Sequence, residues 1–361
     1  MPHPDAGYYP GTLLGSRWRV GPQLGEGNFS MVFEATDEND GRVAAVKILS
    51  ITQAGNSASL IEFDTDIALL RRLGGSSNVV DILDAGVEPI QVTLPGGATF
   101  PISAKYLVME QGEGNLAELL VNRTALDWSD RLSLLRGVVK GAHQMHLERI
   151  VHRDIKADNV ILVLSGNSVE AKLCDFGRSR DTTMGARFAV VAYETGRGDR
   201  RFAPPELLWG LGSSDAETLW RGDLFLLGSM FFEVATGQGI TSLAFGDPLA
   251  VLQNAQQLPP QQREHDFEGR VADIRSLYEL AYATFAAEVP RSIRNLATDL
   301  LRQLTEVRPS DRQPGKTRRE RGLPIMWDLQ WLLRRVDIMA LTLSTSERAA
   351  ARRRQKSGGR A

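Results

Sequence analysis

The chain has 361 residues, 42% hydrophobic and 24% charged, with a formal net charge of −2. That is the composition of an ordinary globular protein long enough for more than one compact unit, and it excludes a collagen-like or low-complexity chain. Its one cysteine, Cys174, excludes an intramolecular disulfide framework and suits a reducing compartment.

The first residues, Met1 to Gly11, show no charged stretch followed by an apolar core, so no signal peptide is expected. Residues 1–16 are rich in Pro and Gly and read as a flexible lead-in. From Trp18 the pattern turns to short strands. Trp18-Arg19-Val20 leads into Leu24-Gly25-Glu26-Gly27-Asn28-Phe29-Ser30-Met31-Val32-Phe33, and Arg42 to Leu49 is a β-rich run containing Ala44-Ala45-Val46-Lys47. The glycines predict a turn between strands whose backbone can come close to a phosphate, although a plain hairpin turn has the same pattern. Lys47 on an apolar strand shifts the balance, because a buried ammonium needs an anionic partner.

Leu60 to Leu73 has apolar residues at helical spacing (Phe63, Ile67, Leu70 and Leu73) and stops at Gly74-Gly75. Glu62 and Asp66 lie one turn apart on this helix. Val79 to Gly86 and Tyr106 to Glu110 read as two more strands, joined by a hairpin around Pro95-Gly96-Gly97. Leu132 to Leu147 reads as a buried helix, with Leu135, Val138, Val139, Ala142 and Met145 inward, leading to Ile150-Val151-His152.

His152-Arg153-Asp154-Ile155-Lys156-Ala157-Asp158-Asn159 follows, and Asp175-Phe176-Gly177 begins sixteen residues after Asn159. One short hairpin thus offers a carboxylate able to take a hydroxyl proton, a lysine able to meet a phosphate, and two oxygen ligands for a metal. That is the set needed to move a phosphoryl group from a nucleotide to an alcohol, where catalysis is mostly positioning and charge neutralisation. Written HRDIKADN and DFG, the two stretches resemble the catalytic and magnesium-positioning loops of eukaryotic-type (Hanks-type) serine/threonine protein kinases.

The resemblance implies an α+β, bilobal protein-kinase-like fold. A small, mostly antiparallel β N-lobe with one key helix would cover 17–112, and a larger, mainly helical C-lobe 113–311. It implies ATP and Mg2+, with Mn2+ as a substitute, and Ser/Thr hydroxyls of protein substrates as acceptors. Asp154 would accept the hydroxyl proton, Lys156 would contact the γ-phosphate, and Asn159 and Asp175 would hold the metal. Lys156 narrows the acceptor, since tyrosine kinases typically carry Ala-Ala-Arg or a related run there. Leu24, Gly25, Gly27, Val32, Ala45, Lys47, Asp66, Met109, Glu110, Gly112 and Ile161 would form the nucleotide site. Met109 would stand at the back of the adenine pocket, and backbone groups of Glu110 and Gly112 would meet the adenine edge. The family pairs the strand lysine with a glutamate; here the register offers Asp66, a methylene shorter, with Glu62 as the alternative. Ser30 takes the place of the third loop glycine. Cys174 would line the pocket floor as a buried thiol.

Arg178 to Glu206 would be the activation segment, closing at Ala203-Pro204-Pro205-Glu206. Arg153 beside Asp154 is the mark of kinases whose segment is ordered by phosphorylation, since the guanidinium needs an anion. Thr182, Thr183, Tyr193 and Thr195 are the candidates, and autophosphorylation of a threonine is expected. Asp199 stands where the family usually has a threonine bonded to the catalytic aspartate and lysine, so an acid there could pair with Lys156. Asp223 opens DLFLLGSMFFEVATG, like the helix whose aspartate holds the catalytic-loop backbone. Arg308-Pro309-Ser310 resembles the run whose arginine pairs with the closing glutamate, here Glu206. Lys156, the long segment and the Glu206/Arg308 pair argue against a kinase-fold small-molecule phosphotransferase. Lys47, Asp154, Asn159 and Asp175 argue against a weakly active pseudokinase scaffold, a reading that Asp66 and Asp199 keep open.

Beyond Asp311 the resemblance fades. Residues 312–343 read as a linker and a C-terminal helix, and 344–361 as a basic, disordered tail. Residues 312–361 carry 13 Lys/Arg against 4 Asp/Glu, or +9, which leaves −11 on the rest. Such a tail reads first as a solvated one, with membrane phosphate or an acidic partner as alternatives, whereas the lack of aromatic interleaving or zinc spacing argues against nucleic acid. The chain has 35 arginines to 7 lysines, a hint of a GC-rich bacterial genome. The most apolar stretch, Leu224 to Phe232, is too short to span a bilayer, so the chain reads as cytoplasmic.

Overall fold

The computed structural model describes residues 6–27, 29–93, 97, 99–166, 168–312 and 327–358. It divides into two compact units: Met1–Glu113 with Cys174–Gly177, and Gly114–Leu173 with Arg178–Ala361.

The first unit is built on a six-stranded sheet in the order β1-β2-β3-β4-β6-β5, with every neighbouring pair antiparallel. The strands are β1 (Leu13–Leu14), β2 (Trp18–Glu26), β3 (Ser30–Asp37), β4 (Val43–Leu49), β5 (Ile82–Thr93) and β6 (Thr99–Glu110). Strand alternation sends Met31, Phe33, Ala35, Ala44, Val46, Ile48, Tyr106 and Val108 to one face, where they form the core. Tyr9 and Leu14 belong to that core, with the Tyr9 ring 5.5 Å from the Phe33 ring. Residues 6–16 are therefore not a flexible lead-in. Their glycines make turns, and their aromatic and aliphatic side chains bury against the sheet.

The other face carries Val32, Lys47 and Leu107 in cross-strand register, with Ala45 opposite Met109 beside them. Helix α1 (Ser57–Arg72) supplies Asp66 to Lys47 on this side. It starts three residues before Leu60 because Asn56 caps it, accepting from the Ala58 and Ser59 N–H groups at 3.0 and 3.5 Å; such a cap contributes about 1 kcal/mol. β5 and β6 are longer than their apolar patterns suggest, and Pro95 and Gly96 of the connecting turn lie outside the described residues.

The second unit is mainly helical. Its helices are α2 (Leu116–Val121), α3 (Trp128–Leu147), α4 (Val190–Glu194), α5 (Pro205–Leu208), α6 (Ala216–Thr236), α7 (Ile240–Phe245), α8 (Pro248–Gln256), α9 (Pro260–Gly269), α10 (Val271–Glu288), α11 (Arg294–Leu304) and α12 (Gln330–Gly358). Two short antiparallel ladders join β7 (Ile150–Val151) to β10 (Arg180–Asp181) and β8 (Val160–Ser165) to β9 (Ser168–Leu173). α6 is the central element, buried continuously from Asp223 to Thr236. Gly228 lets α11 come close, since a Cβ there would sit 2.7 Å from Thr305 Cγ2 and 2.8 Å from Leu304 Cβ.

α12 packs on α3 through Leu332, Val336, Met339 and Leu343, a helical stripe that is buried throughout. It continues through Gly358, so the stretch from Ser344 expected to be disordered is helical that far. Its alanines and arginines are good helix formers, which a reading for charge alone overlooks. Among the described residues no helix is long and apolar enough to cross a membrane.

Candidate active site

In the first unit the site is organised by Lys47. Its ammonium is 2.6 Å from Asp66 Oδ2 and 2.9 Å from Asp175 Oδ1. Burial works against that charge, but the carboxylates of Asp175 and Asp66 more than offset it and hold Lys47 protonated above its usual range. Asp66 Oδ1 also accepts the Phe176 N–H at 2.9 Å, so one carboxylate orients the lysine and anchors the DFG backbone. Asp66, not Glu62, is thus the partner. The DFG turn lies tight on α1: a Cβ on Gly177 would sit 3.2 Å from Glu62 O. Asp175 takes a left-handed backbone, φ 60°, which is strained for a residue with a Cβ.

The other residues of this unit expected at a nucleotide site cluster by register. Gly25 is opposite Val32, Val32 opposite Lys47, and Ala45 opposite Met109. Leu24 sits in the β2 bulge and is exposed, the Gly27 N–H closes the turn onto Ser30 O at 2.8 Å, and Phe29 lays its ring 5.5 Å from the Lys47 ammonium. Asn28 lies outside the described residues. Glu110 departs from expectation in one respect: its backbone N–H is bonded to Asp81 O at 2.9 Å, which removes it from the groups available to a ligand. Gly112 and Cys174 are half-buried.

In the second unit Asp154 is 6% exposed and held by several donors. Its Oδ1 accepts the Asp199 N–H at 3.0 Å, and its Oδ2 accepts Arg178 Nη1 at 3.0 Å and Asn159 Nδ2 at 3.2 Å. Gly198 permits this approach, since a Cβ there would stand 2.9 Å from Asp154 Oδ1 and 3.0 Å from Arg153 O. Asn159 Nδ2 also donates to Asp154 O at 2.8 Å. Both amide hydrogens thus go to Asp154, and the amide carbonyl is the group left to meet a cation. Carboxylate and amide oxygens are hard donors of the kind Mg2+ takes alongside waters and phosphates. Ile161 is half-buried on β8.

Asp199 does reach Lys156, at 3.6 Å, but its closer partner is Arg201 at 2.6 Å. Burial alone would raise the Asp199 pKa, yet the Arg201 hydrogen bonds outweigh it and hold the acid below the usual carboxylate range. The sequence reading did not single out Arg178 as a partner of Asp154. Its position directly after Gly177 was the available signal.

Two carboxylates on α6 hold the loop of residues 152–159. Asp223 accepts the His152 N–H at 2.7 Å and the Arg153 N–H at 2.8 Å, while His146 Nε2 lies 2.9 Å from its Oδ2. Glu233 accepts the Ala157 N–H at 2.9 Å. Burial pushes the Glu233 carboxyl up to about 7. Because the folded value lies above the unfolded one, the folded state binds this proton more tightly. The contribution is complete below the unfolded pKa and is lost as pH rises through about 7. Glu233→Gln keeps an acceptor for Ala157 and has no charge to bury. Relative to wild type it should gain on the order of 1–3 kcal/mol between pH 5 and pH 8. Urea denaturation at the two pH values checks this, and parallel curves at both would count against it.

The segment-closing Glu206 is met by Arg312, not by Arg308. Arg312 Nη1 and Nη2 bond Glu206 Oε1 and Oε2 at 2.8 and 2.6 Å, and Arg312 is fully buried. Arg308 instead bonds Glu268 at the surface. A 3-10 turn over Pro309–Asp311 reverses the chain between them and carries the later arginine inward.

Over residues 18–317 the chain matches the family described as the protein kinase domain. It is 29% identical over 327 residues to serine/threonine-protein kinase PknK of Mycobacterium bovis, covering 88% of this chain and 26% of the relative. It is 26% identical over 227 residues to DNA damage response protein kinase DUN1 of Saccharomyces cerevisiae, covering 58% of this chain and 42% of the relative. The chain therefore spans less than half the length of these relatives.

Proposed function

The chain belongs to the protein kinase domain family, and on that premise we propose that it transfers the γ-phosphoryl group of MgATP to serine and threonine hydroxyls of protein substrates. The observation that carries the reading is Asp154, a buried carboxylate pinned by Asn159 and Arg178 on a loop that also presents Lys156. Asp154 would take the proton of the acceptor hydroxyl as the oxygen attacks, and Lys156 would meet charge on the γ-phosphoryl oxygens. Lys47, oriented by Asp66, would neutralise the α and β phosphates. Leu24, Gly25, Gly27, Val32, Ala45, Met109, Gly112, Ile161 and the backbone carbonyl of Glu110 would receive the nucleotide. Asn159 and Asp175 would hold Mg2+ or Mn2+, which when bound neutralises charge on the β and γ oxygens. Arg352, Arg353 and Arg354 are exposed on α12 and suit an acidic partner.

Incubation with radiolabelled MgATP and a serine- and threonine-containing protein tests the reading. Label should appear on serine or threonine and fall roughly 100-fold in Lys47→Met, the scale of a lost electrostatic contact to the reacting group. Undiminished transfer in that variant would remove Lys47 from the mechanism; label on tyrosine alone would overturn the acceptor assignment.

A further inference from the structure

The activation segment, Arg178 to Glu206, lies in the second unit around a buried aromatic ring. Tyr193 on α4 is 3% exposed. The Arg153 guanidinium carbon is 4.6 Å from its ring centroid and that of Arg180 is 5.3 Å away. Phe188 lies 6.5 Å from Tyr193 and carries Arg197 at 4.6 Å over its own ring. Guanidinium and aromatic groups alternate through the segment.

The hydrogen bonds of the two central guanidinium groups go to backbone carbonyls, and Asp223 favours the Arg153 charge from farther off. Arg153 donates to Arg178 O at 3.0 Å and Ala192 O at 3.3 Å, and Arg180 to Ser214 O at 2.7 Å and Met184 O at 3.1 Å. Among the described residues neither has a carboxylate within ion-pair distance. Burial pushes Arg153 down to about 10, so it is still cationic at neutral pH. A half-buried cation on a tight loop needs compensation, and the negative face of an aromatic ring supplies part of it. The segment's threonines are engaged elsewhere: Thr182 with Arg149 O at 2.8 Å, Thr183 with Asp181 Oδ1 at 2.6 Å, and Thr195 with Val191 O at 3.1 Å.

We infer that Tyr193 is a positioning residue whose ring, in place of a phosphate, orders the activation segment around Arg153 and so delivers Asp199 to Asp154 without modification of the segment. The link is short. Six residues after Tyr193, the Asp199 N–H bonds Asp154 Oδ1, and between them the Glu194 carbonyl accepts the Gly212 N–H at 2.8 Å. Phosphorylation of a segment threonine, where it occurs, is then not what orders it. The inference rests on the kinase reading above.

Four proteins decide it: wild type, Tyr193→Phe, Tyr193→Leu, and the triple variant Thr182→Ala/Thr183→Ala/Thr195→Ala. Phe keeps the π face; Leu keeps apolar bulk without it. Tyr193→Leu should lose about tenfold in kcat with KM for ATP unchanged, while Tyr193→Phe stays within about twofold of wild type. The triple variant should match wild type, whose segment mass spectrometry should find unmodified. Backbone hydrogen exchange over 178–206 should accelerate in Tyr193→Leu and not in Tyr193→Phe. A triple variant that is inactive, or a Phe variant that behaves like Leu, overturns the inference. If wild type transfers no phosphoryl group the kinase reading fails by itself, and equal exchange in the Phe and Leu variants would separately refute the role of the ring.

Discussion

Asp154→Asn should reduce kcat for phosphoryl transfer by about 10²–10⁴-fold, the usual contribution of a positioned general base. The substitution is close to isosteric, and its amide carbonyl can still accept the Asp199 N–H that now reaches Oδ1. What it removes is the capacity to take a proton, together with the negative charge facing Arg178. KM for ATP should stay near wild type, because Lys47 and its partners lie outside the change. Initial rates at varied ATP, with a thermal melt to confirm folding, check both halves. Wild-type kcat in the variant would show that another group takes the proton.

Arg312→Ala should destabilise the second unit by about 3–5 kcal/mol, the cost of leaving a buried carboxylate without its cation. Arg312 makes a paired contact to Glu206 and also donates to the backbone at Glu306 O, Val307 O and Arg221 O, so the loss ties together the segment end, α6 and the 3-10 turn. Arg308→Ala is the matched control. Its pair with Glu268 is exposed on both sides, and exposed pairs contribute about 0–1 kcal/mol. Urea denaturation of both variants separates the alternatives; equal losses would mean the Glu206 pair is not what closes the segment.

The candidate loop was legible because the residues proposed to carry its chemistry are contiguous. Asp154, Lys156 and Asn159 lie within six residues, whereas helix spacing left Asp66 and Glu62 both open as partners of Lys47, and only the family's register favoured Asp66. Contacts that depend on how the chain returns on itself were not legible. Arg308 and Arg312 are both reachable candidates in sequence, and the turn over Pro309–Asp311 decides which faces Glu206. Arg178 meets Asp154 across a tertiary contact, 24 positions along the chain. Polar composition misled at both ends. The glycines of residues 6–16 hide the burial of Tyr9 and Leu14, and the arginines after Ser344 hide the continuation of α12. The two-unit α+β organisation that the family resemblance implied stands.

Asp223 and Glu233, ten positions apart on α6, make that helix a ruler for the loop it supports. At 1.5 Å and 100° per residue, they are separated by about 15 Å along the axis and about 1000° of rotation, which sets the two carboxylates about 80° apart around the helix. The catalytic loop therefore inherits its length and pitch from a helical phase. Side chains between the two marks can change with only packing consequences. One residue added or removed there would swing one carboxylate by about 100° and leave one end of the loop unheld. Along this stretch the chain is constrained less in what it spells than in how many letters it uses.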